Sequence, residues 1–398
     1  MKVLVISQLP KEAGGSYTTG IARVIENLYQ KNFGEGLEVF WYFTNVPDRI
    51  AGAKCSFEYQ YNGYKMMPLQ MAWNFICHPI NSIKEWLHYK KIDGINPVRY
   101  DFYKVNFKEL LKKIKPDLIH LHGAGVSPLY YANFKTKIPV LITFHGVMYN
   151  EEDKKSWRFK PEYLSTMRMV DYFTVLNQET KRKALSLGMP EEKCTTISNG
   201  VDTSRFYYSE EQRKEVRQRY DVKDNTLVFM TTGVVIDRKG QYDFMQVLES
   251  LEIDYQYWII GKGPDEKKMA DYVTEHHLEH KVKLLGYVDG RELYKYLSAS
   301  DVYAHVSTTE GQALSEIEAY ATGLKVLVRK EIAATVIGDP YHDNCNYYIF
   351  DLNHYDSDDF KMWLSKGNKE RVSKGDCDWS NVARQYGALY KRIIGLKS

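Results

Sequence analysis

Short runs of mostly apolar residues alternate with amphipathic helical stretches along the chain, and this alternation constrains the fold more than any other feature. Runs that are apolar at successive positions are typical of strands buried on both faces. When helices connect such strands, the strands form a parallel sheet with helices on either side. The sequence therefore predicts an α/β fold with doubly wound parallel sheets.

The predicted strands fall into two series, separated by a polar, charged stretch at 204–225. The first series is Val3–Ile6, Leu37–Phe43, Leu118–Leu121, Val140–Phe144, Tyr172–Val175 and Thr195–Ile197. The second series is Leu227–Thr231, Tyr257–Ile260, Val282–Leu285, Val302–His305 and Lys325–Val328. We therefore expect two Rossmann-like domains, at 1–204 and 205–378, that face a cleft. Ligands of open α/β sheets bind beyond the carboxyl ends of the strands, so the loops there should carry the site.

The overall composition excludes some classes of function. A formal net charge of +3 is too small to indicate nucleic-acid binding. The first apolar run is too short for a signal peptide, and no run reaches the ~18 apolar residues of a membrane span. Five scattered cysteines without a CxxC pair fit a reducing compartment. We expect a cytoplasmic protein, with peripheral contact to the inner face of a membrane left open.

The segment from Glu310 to Glu318, EGQALSEIE, is the most informative about chemistry. It lies between a predicted strand and a predicted helix whose first free N–H groups belong to Leu314 and Ser315. Such a helix start stabilises a phosphate without a metal ion. Glu318 lies one turn later and leans back toward the helix start, where a ribose diol could bind. The alternative is a surface loop with an ordinary acidic first turn, since carboxylates are common at helix starts.

This segment resembles the Glu, seven residues, Glu motif of the retaining GT-B glycosyltransferases, a family that includes sucrose-phosphate synthase, glycogen synthase and bacterial polysaccharide glycosyltransferases. Other landmarks of the family follow in the expected order. They are Gly14-Gly15, His145-Gly146, Asn199-Gly200-Val201-Asp202, Gly233, Arg238-Lys239-Gly240, Gly261-Lys262-Gly263-Pro264, Gly286-Tyr287-Val288 and a tail from Trp379 to Ile393. The resemblance covers nearly the whole chain. It implies the GT-B fold, with 379–398 forming a closing helix that packs back on the N-terminal domain.

The resemblance also implies roles for individual residues. Arg238 and Lys239 match the basic pair that holds the donor diphosphate, where negative charge grows as the leaving group departs. Glu310 matches a residue near the hydroxyls of the donor sugar, Glu318 the carboxylate that accepts the ribose hydroxyls, and His145 a residue beside the sugar. The other positions implied to bind the donor are Gly14, Gly15, Gly233, Gly311, Leu314, Ser315, Tyr287 and Val288.

The implied activity is transfer of a hexose-type sugar, with retention of configuration, from a nucleotide diphosphate sugar to an acceptor hydroxyl. The expected donor is UDP-linked. The expected acceptor is a saccharide or a lipid-linked saccharide, in surface polysaccharide or glycoconjugate synthesis. No metal or other cofactor is expected. The alternatives are a nucleotide-sugar epimerase or a phosphorylase on the same fold, and a non-catalytic nucleotide-sugar-binding protein.

Three residues of the Glu310 segment depart from the family pattern or vary within it. Gln312-Ala313 stand where many relatives have Phe-Gly, and Gln312 is expected to add hydrogen-bonding capacity beside the sugar. Glu316 occupies a variable position of the motif and is expected to face solvent.

Two other patterns could suggest a metal ion. His120 and His122 have the alternating spacing of a strand, but packing at the strand end is favoured because no carboxylate or cysteine lies at a suitable spacing. Asp376-Cys377-Asp378 has the DxD pattern of metal-dependent glycosyltransferases, and a surface loop is favoured there.

The stretch from Lys65 to Lys115 mixes apolar and basic residues with few acidic ones. Such a mixture on the acceptor-side domain could rest on an anionic membrane, which would suit a lipid-linked acceptor. Packing of the apolar residues beneath the sheet is the favoured alternative.

Overall fold

The computed structural model describes residues 1–7, 20–29, 31–43, 72–73, 75–89, 104, 107–108, 110–123, 131–132, 134, 136–146, 170–186, 188–337, 346–366 and 374–395. The chain divides into two compact units. One comprises Met1–Leu176, Thr180–Ile197 and Ser380–Ser398, and the other comprises Asn177–Glu179 and Ser198–Trp379. Among the described residues each unit has a parallel sheet of six strands, which confirms the predicted α/β class with two Rossmann-like domains.

The first sheet is built from β1 (Lys2–Ser7), β2 (Glu38–Phe43), β3 (Leu118–His122), β4 (Val140–Phe144), β5 (Tyr172–Val175) and β6 (Cys194–Thr196). Its strand order is β2-β1-β3-β4-β5-β6, with all pairs parallel. The accompanying helices that the structure describes include α1 (Gly20–Leu28), α2 (Pro79–Tyr89) and α3 (Gln178–Ser186). Every residue of β3 and β4 is buried, as expected for strands covered on both faces.

The second sheet is built from β7 (Leu227–Thr232), β8 (Tyr255–Ile260), β9 (Val282–Gly286), β10 (Val302–His305), β11 (Lys325–Arg329) and β12 (Tyr347–Phe350). Its order is β12-β11-β10-β7-β8-β9, again with all pairs parallel. The helices are α4 (Glu210–Arg219), α5 (Gln241–Ser250), α6 (Glu266–Glu275), α7 (Leu293–Ala299), α8 (Leu314–Ala321) and α9 (Ser357–Ser365). Helix α10 (Trp379–Gly395) ends the described chain.

The predicted strands agree with the observed strands to within about two residues at their ends. Strand β12 is not among the strands that the sequence predicted. Its Tyr347 and Phe350 are buried, while Tyr348 and Ile349 are more exposed. A short edge strand of this kind has a weak local pattern, and its pairing with β11 defines it.

Helix α4 lies within the polar stretch at 204–225. Arg213 Nη2 lies 2.7 Å from Asp301 Oδ1, and Arg217 Nη1 lies 3.1 Å from Asp301 Oδ2. The side chain of Ser209 caps the helix by accepting a hydrogen bond from the backbone N–H of Gln212. Two of the charged residues in this polar stretch, Arg213 and Arg217, therefore anchor a helix on the second unit.

Helix α10 packs within the first unit. The hydroxyl of Tyr390 lies 2.7 Å from Nδ1 of His120, and its ring stacks on Phe33 with centroids 5.8 Å apart. Gly387 faces the backbone of Phe33 so closely that a Cβ atom there would lie 1.7 Å from the Phe33 carbonyl oxygen. Only glycine fits this contact, because a backbone atom cannot move aside as a flexible side chain can.

The substitution Gly387→Ala should lower the free energy of unfolding by about 1–3 kcal/mol, since the added methyl group forces the helix away from Phe33. Gly395→Ala in the same helix is the matched control, because a Cβ atom added there would meet nothing within 4 Å. The control should be neutral or stabilising by up to about 1 kcal/mol. Urea unfolding of both variants measures the difference, and equal stability would contradict the proposed contact.

Candidate functional site

The carboxyl ends of β7 to β10 lie at one edge of the second sheet, because all of its strands run parallel. The sequence-predicted residues of this unit all lie beyond these ends. They are Gly233, Arg238 and Lys239 after β7, Tyr287 and Val288 after β9, and Glu310, Gly311, Leu314, Ser315 and Glu318 after β10.

The structure brings Arg238, Lys239 and Glu310 together. The ammonium of Lys239 donates a hydrogen bond to Oε1 of Glu310 in an ion pair. Nη1 of Arg238 lies 3.8 Å from the same oxygen and donates to the carbonyl of Thr309 at 2.9 Å. The Arg238 side chain is 51% exposed, so its guanidinium can reach a ligand that arrives from solution. Two cations and one carboxylate thus meet at the sheet edge.

A left-handed glycine makes this approach possible. Arg238 and Lys239 lie in a 3-10 turn that ends at Gly240, where φ is 67°. A Cβ atom at Gly240 would lie 2.0 Å from the carbonyl oxygen of Val306. The turn after β7 and the loop after β10 can therefore lie against each other only with glycine at this position.

The carboxyl of Glu310 is held in its ionised form. Its burial by itself would raise the pKa, but the neighbouring Lys239 ammonium and the His305 imidazole lower it, and the pKa lies below its usual value. The side chain is 15% exposed. An ionised carboxylate in this position can accept hydrogen bonds from hydroxyl groups of a ligand.

Helix α8 begins beside this cluster. Its N-cap residue is Ala313, whose methyl side chain cannot accept a hydrogen bond from the first backbone N–H groups, at Leu314 and Ser315. Glu318 lies one turn along the helix and is buried. Binding of a phosphate at this helix start stays a prediction of the sequence.

The loop before α8 is held by hydrogen bonds from two asparagines. Nδ2 of Asn177 donates to the carbonyl of Gly311 at 2.7 Å. The backbone N–H of Asn199 donates to Oε1 of Gln312 at 2.8 Å. The amide oxygen of Gln312 therefore accepts a hydrogen bond from the protein backbone. Of the hydrogen-bonding capacity predicted for Gln312 beside the sugar, this oxygen is already used within the protein.

The other predicted donor-binding residues lie in different surroundings. Gly233 has a φ of 139°, and its N–H donates to the carbonyl of Ile260 at 2.9 Å. Tyr287 is 75% exposed, whereas Val288 packs partly against the core. Gly14 and Gly15 lie outside the described residues.

The prediction that Glu316 faces solvent is wrong. Its side chain is 7% exposed, and Oε2 lies 2.8 Å from Nδ1 of His305, the last residue of β10. The spacing of the motif alone could not reveal this pair, because it depends on the strand beneath the helix. A histidine at the end of a strand and a glutamate in the first turn of the next helix were the available signals.

His145 lies in the first unit, directly after β4. Its Nε2 is 3.0 Å from Nδ1 of His122, and its buried Nδ1 has no hydrogen-bond partner among the described residues. The ring of His122 also lies against that of His120, with centroids 4.2 Å apart. His122 is therefore a neighbour of the predicted site residue that the sequence did not connect with it.

His120 belongs to the packing between β3, β4 and α10, as its position at a strand end predicted. Its Nε2 lies 2.7 Å from Oγ1 of Thr143, and its Nδ1 meets the hydroxyl of Tyr390. Burial, and then His145, lower the pKa of His120 to about 3. Burial lowers the pKa of His145 to about 4, and burial together with its two histidine neighbours lowers that of His122. All three imidazoles are therefore neutral near pH 7.

The part of the chain that the structure describes contains no group of three or more His, Cys, Asp or Glu side chains that could hold a metal ion. In the DxD sequence, Oδ2 of Asp376 accepts a hydrogen bond from the hydroxyl of Tyr320 at 3.2 Å. Oδ2 of Asp378 accepts one from the hydroxyl of Thr203 at 2.9 Å. These carboxylates hold neighbouring segments of the second unit together.

Comparison with known families identifies the chain. Residues 18–205 match the family model of Glycosyltransferase Family 4, and residues 212–343 match that of Glycosyl transferases group 1. Both models are of glycosyltransferases, and the protein is a glycosyltransferase. Together the two models account for most of the chain, and the junction between them lies close to the predicted domain boundary.

Solved structures confirm the GT-B fold of this glycosyltransferase. Sucrose-phosphate synthase from Thermosynechococcus elongatus has a TM-score of 0.64 at 15% identity, and the comparison covers 100% of both chains. The Anabaena protein HepE in complex with UDP-glucose has a TM-score of 0.59 at 15% identity, over 100% of this chain and 99% of HepE.

Three curated relatives show the same kinship in sequence. A glycosyltransferase of Methanocaldococcus jannaschii is 24% identical over 76% of this chain and 86% of its own length. The alpha-monoglucosyldiacylglycerol synthase of Acholeplasma laidlawii is 25% identical over 55% of this chain. An Escherichia coli galactosyltransferase acting on GlcNAc-diphosphoundecaprenol is 26% identical over 56% of this chain. The chain spans only 60% of the length of each of the last two relatives.

Acidification should destabilise this glycosyltransferase through its buried histidines. A histidine of the unfolded chain has a pKa near 6.5. In the folded protein the pKa is about 4 for His145 and about 3 for His120. Protons therefore favour the unfolded chain below about pH 6.5, and stability is lost as the pH falls. The thermal midpoint should drop between about pH 7 and about pH 4.5, and His120→Gln should make this drop smaller.

His354→Gln is the matched control for this measurement, since the His354 side chain is 87% exposed. It should leave the dependence of the thermal midpoint on pH unchanged. An equal change of slope in the two variants would show that the buried imidazoles do not cause the acid sensitivity.

Proposed function

We propose that this glycosyltransferase moves a hexose-type sugar from a UDP-linked donor to an acceptor hydroxyl, with retention of the anomeric configuration and without a metal cofactor. The observation that carries the proposal is the meeting of Lys239, Arg238 and Glu310 beside the N-terminus of α8, where Ala313 provides no side-chain cap. Fixed cations and helix-start N–H groups are the groups that stabilise a diphosphate in the absence of a metal ion.

The names of relatives support the donor and the acceptor class. HepE was solved with UDP-glucose, and the Escherichia coli relative is named for a UDP-galactose donor and a diphosphoundecaprenol acceptor. The Acholeplasma relative is named as the synthase of a glycolipid. We therefore propose a saccharide or lipid-linked saccharide as the acceptor, in surface polysaccharide or glycoconjugate synthesis.

The proposed reaction takes place on one face of the sugar. The acceptor oxygen bonds to C1 while the bond between C1 and the β-phosphate oxygen breaks, and the acceptor proton passes to the departing phosphate oxygen. Arg238, Lys239 and the N–H groups of Leu314 and Ser315 would oppose the charge that develops on the leaving UDP. The carboxylate of Glu310 forms an ion pair with the ammonium of Lys239. The donor diphosphate would therefore compete with this carboxylate for the ammonium.

Lys239→Ala should lower sugar transfer, or slow donor hydrolysis when the acceptor is absent, by roughly 100-fold. The ammonium opposes charge that grows only as the diphosphate leaves, so turnover should fall more than donor affinity does. Arg238→Ala should act in the same direction. The assay uses a panel of labelled UDP-sugars with the full-length protein, and nuclear magnetic resonance reports the anomer of the product.

Lys267→Ala is the control, because Lys267 is an exposed lysine of the same unit whose ammonium pairs with Asp271 on α6. It should turn over like the wild type, and a cooperative thermal transition should show that each variant is folded. Wild-type turnover in folded Lys239→Ala would contradict the proposed role. Activity that requires added Mg²⁺ or Mn²⁺ after chelation would contradict metal independence, and an altered sugar without transfer would indicate an epimerase.

We further propose that the acceptor side of the protein contacts a membrane surface. In the described part of the stretch from Lys65 to Lys115, large apolar side chains are exposed. They are Trp73, Phe75, Ile76, Ile80, Ile83, Trp86 and Leu87, with Ile80 and Trp73 each 68% exposed. On α2 Ser82 is buried, so the opposite face, with Ile80 and Ile83, points outward. Exposed apolar patches of this kind mark interaction surfaces. None of the described helices is long and apolar enough to span a bilayer.

Anionic phosphatidylglycerol vesicles should co-sediment the protein at low salt. The double substitution Ile80→Ser and Ile83→Ser should weaken the partition about tenfold or more, because each isoleucine loses its transfer into the lipid interface. Met362→Ser is the control, since Met362 is a 50% exposed apolar residue of α9. Failure of the wild type to sediment would refute the membrane contact and favour an acceptor in solution.

A further inference from the structure

The buried pair of His305 and Glu316 joins the two ends of the loop that carries Glu310. His305 ends β10, and Glu316 is the third residue of α8. Their atoms Nδ1 and Oε2 lie 2.8 Å apart, and the side chains are 4% and 7% exposed. The intervening residues 306–313 contain the proposed sugar-binding carboxylate.

The chemistry of the two side chains indicates which atom donates the hydrogen bond and why the bond is strong. An ionised carboxylate only accepts hydrogen bonds, so the hydrogen lies on Nδ1 of His305 and points at Glu316. Charge-assisted hydrogen bonds are stronger than neutral ones, and exclusion of water strengthens them further. Exposed ion pairs contribute little, because water and salt screen them. This pair is protected from that screening.

We infer that the His305–Glu316 pair is a positioning clasp that holds the Glu310 loop in the geometry required by the donor sugar. The inference rests on the proposed function for the identity of the ligand. Three further contacts act on the same loop, since Asn177 holds the Gly311 carbonyl, Asn199 holds Gln312, and Thr308 N–H donates to the Arg238 carbonyl at 2.9 Å. The imidazole also lies close enough to Glu310 to lower the pKa of that carboxyl.

The other nitrogen of His305 provides a way to test the clasp against a direct contact. Nε2 is buried and has no hydrogen-bond partner among the described residues. Asparagine places an amide N–H near the position of Nδ1 and keeps the bond to Glu316, but it has nothing at Nε2. Glutamine places its amide near Nε2 and loses the bond to Glu316.

The experiment compares His305→Asn, His305→Gln and Glu316→Ala in the full-length protein. If the pair is a clasp, His305→Gln and Glu316→Ala lower kcat for donor turnover by roughly 10- to 100-fold, since misplacement by about 1 Å has effects of this size. Affinity for UDP, which lacks the sugar, stays within about threefold of wild type in each variant. His305→Asn recovers most of the turnover. The double variant His305→Gln, Glu316→Ala loses no more than either single variant, because both remove the same bond.

Hydrogen exchange of residues 306–313 gives a second readout that needs no turnover. The loop exchanges faster in His305→Gln and Glu316→Ala than in His305→Asn and the wild type. Full turnover in His305→Gln together with its loss in His305→Asn would overturn the clasp and assign Nε2 to the ligand. Unchanged exchange in both clasp-breaking variants would overturn it as well. A wild type that turns over no UDP-sugar would refute the proposed function, while the exchange result would still decide whether the pair holds the loop.

Discussion

Parallel pairing of the second sheet is the constraint on which the candidate site depends. A connection between parallel strands must cross a face of the sheet, so each strand delivers its carboxyl end to the same edge. The order β12-β11-β10-β7-β8-β9 places β10 directly beside β7. The loops that follow these two strands therefore meet, and Lys239 pairs with Glu310 although 71 positions separate them. Gly240 permits the contact because no side chain fits against Val306.

Two cations, Lys239 and Arg238, lie beside one carboxylate, Glu310, at this edge. Burial of Glu310 opposes its ionisation, and the nearby cation of Lys239 outweighs that penalty, so the carboxylate persists. About half of the Arg238 side chain is exposed. Its guanidinium donates a hydrogen bond to the carbonyl of Thr309, and its own carbonyl accepts one from the N–H of Thr308.

The two units bury polar groups in different ways. In the first unit, burial lowers the pKa of His120, His122 and His145 and keeps these side chains neutral. The hydroxyl of Tyr390 is a hydrogen-bond partner of His120. In the second unit, several buried charges occur in pairs, of which Arg217 with Asp301 anchors α4. Neutral imidazoles need only hydrogen-bond partners, whereas a buried charge needs an opposite charge to offset its lost hydration.

The sequence by itself determined the α/β class, the described strands other than β12 and the residues that follow the strand ends, because hydrophobic periodicity and glycine positions are local properties of the chain. It predicted the wrong environment for Glu316, since the partner of a helical side chain depends on the strand beneath it, here at His305. The contact of His122 with His145 and the anchoring of α4 likewise became visible only in the structure. Pairing of side chains depends on distances between segments far apart in sequence, and these distances exist only once the sheet has formed.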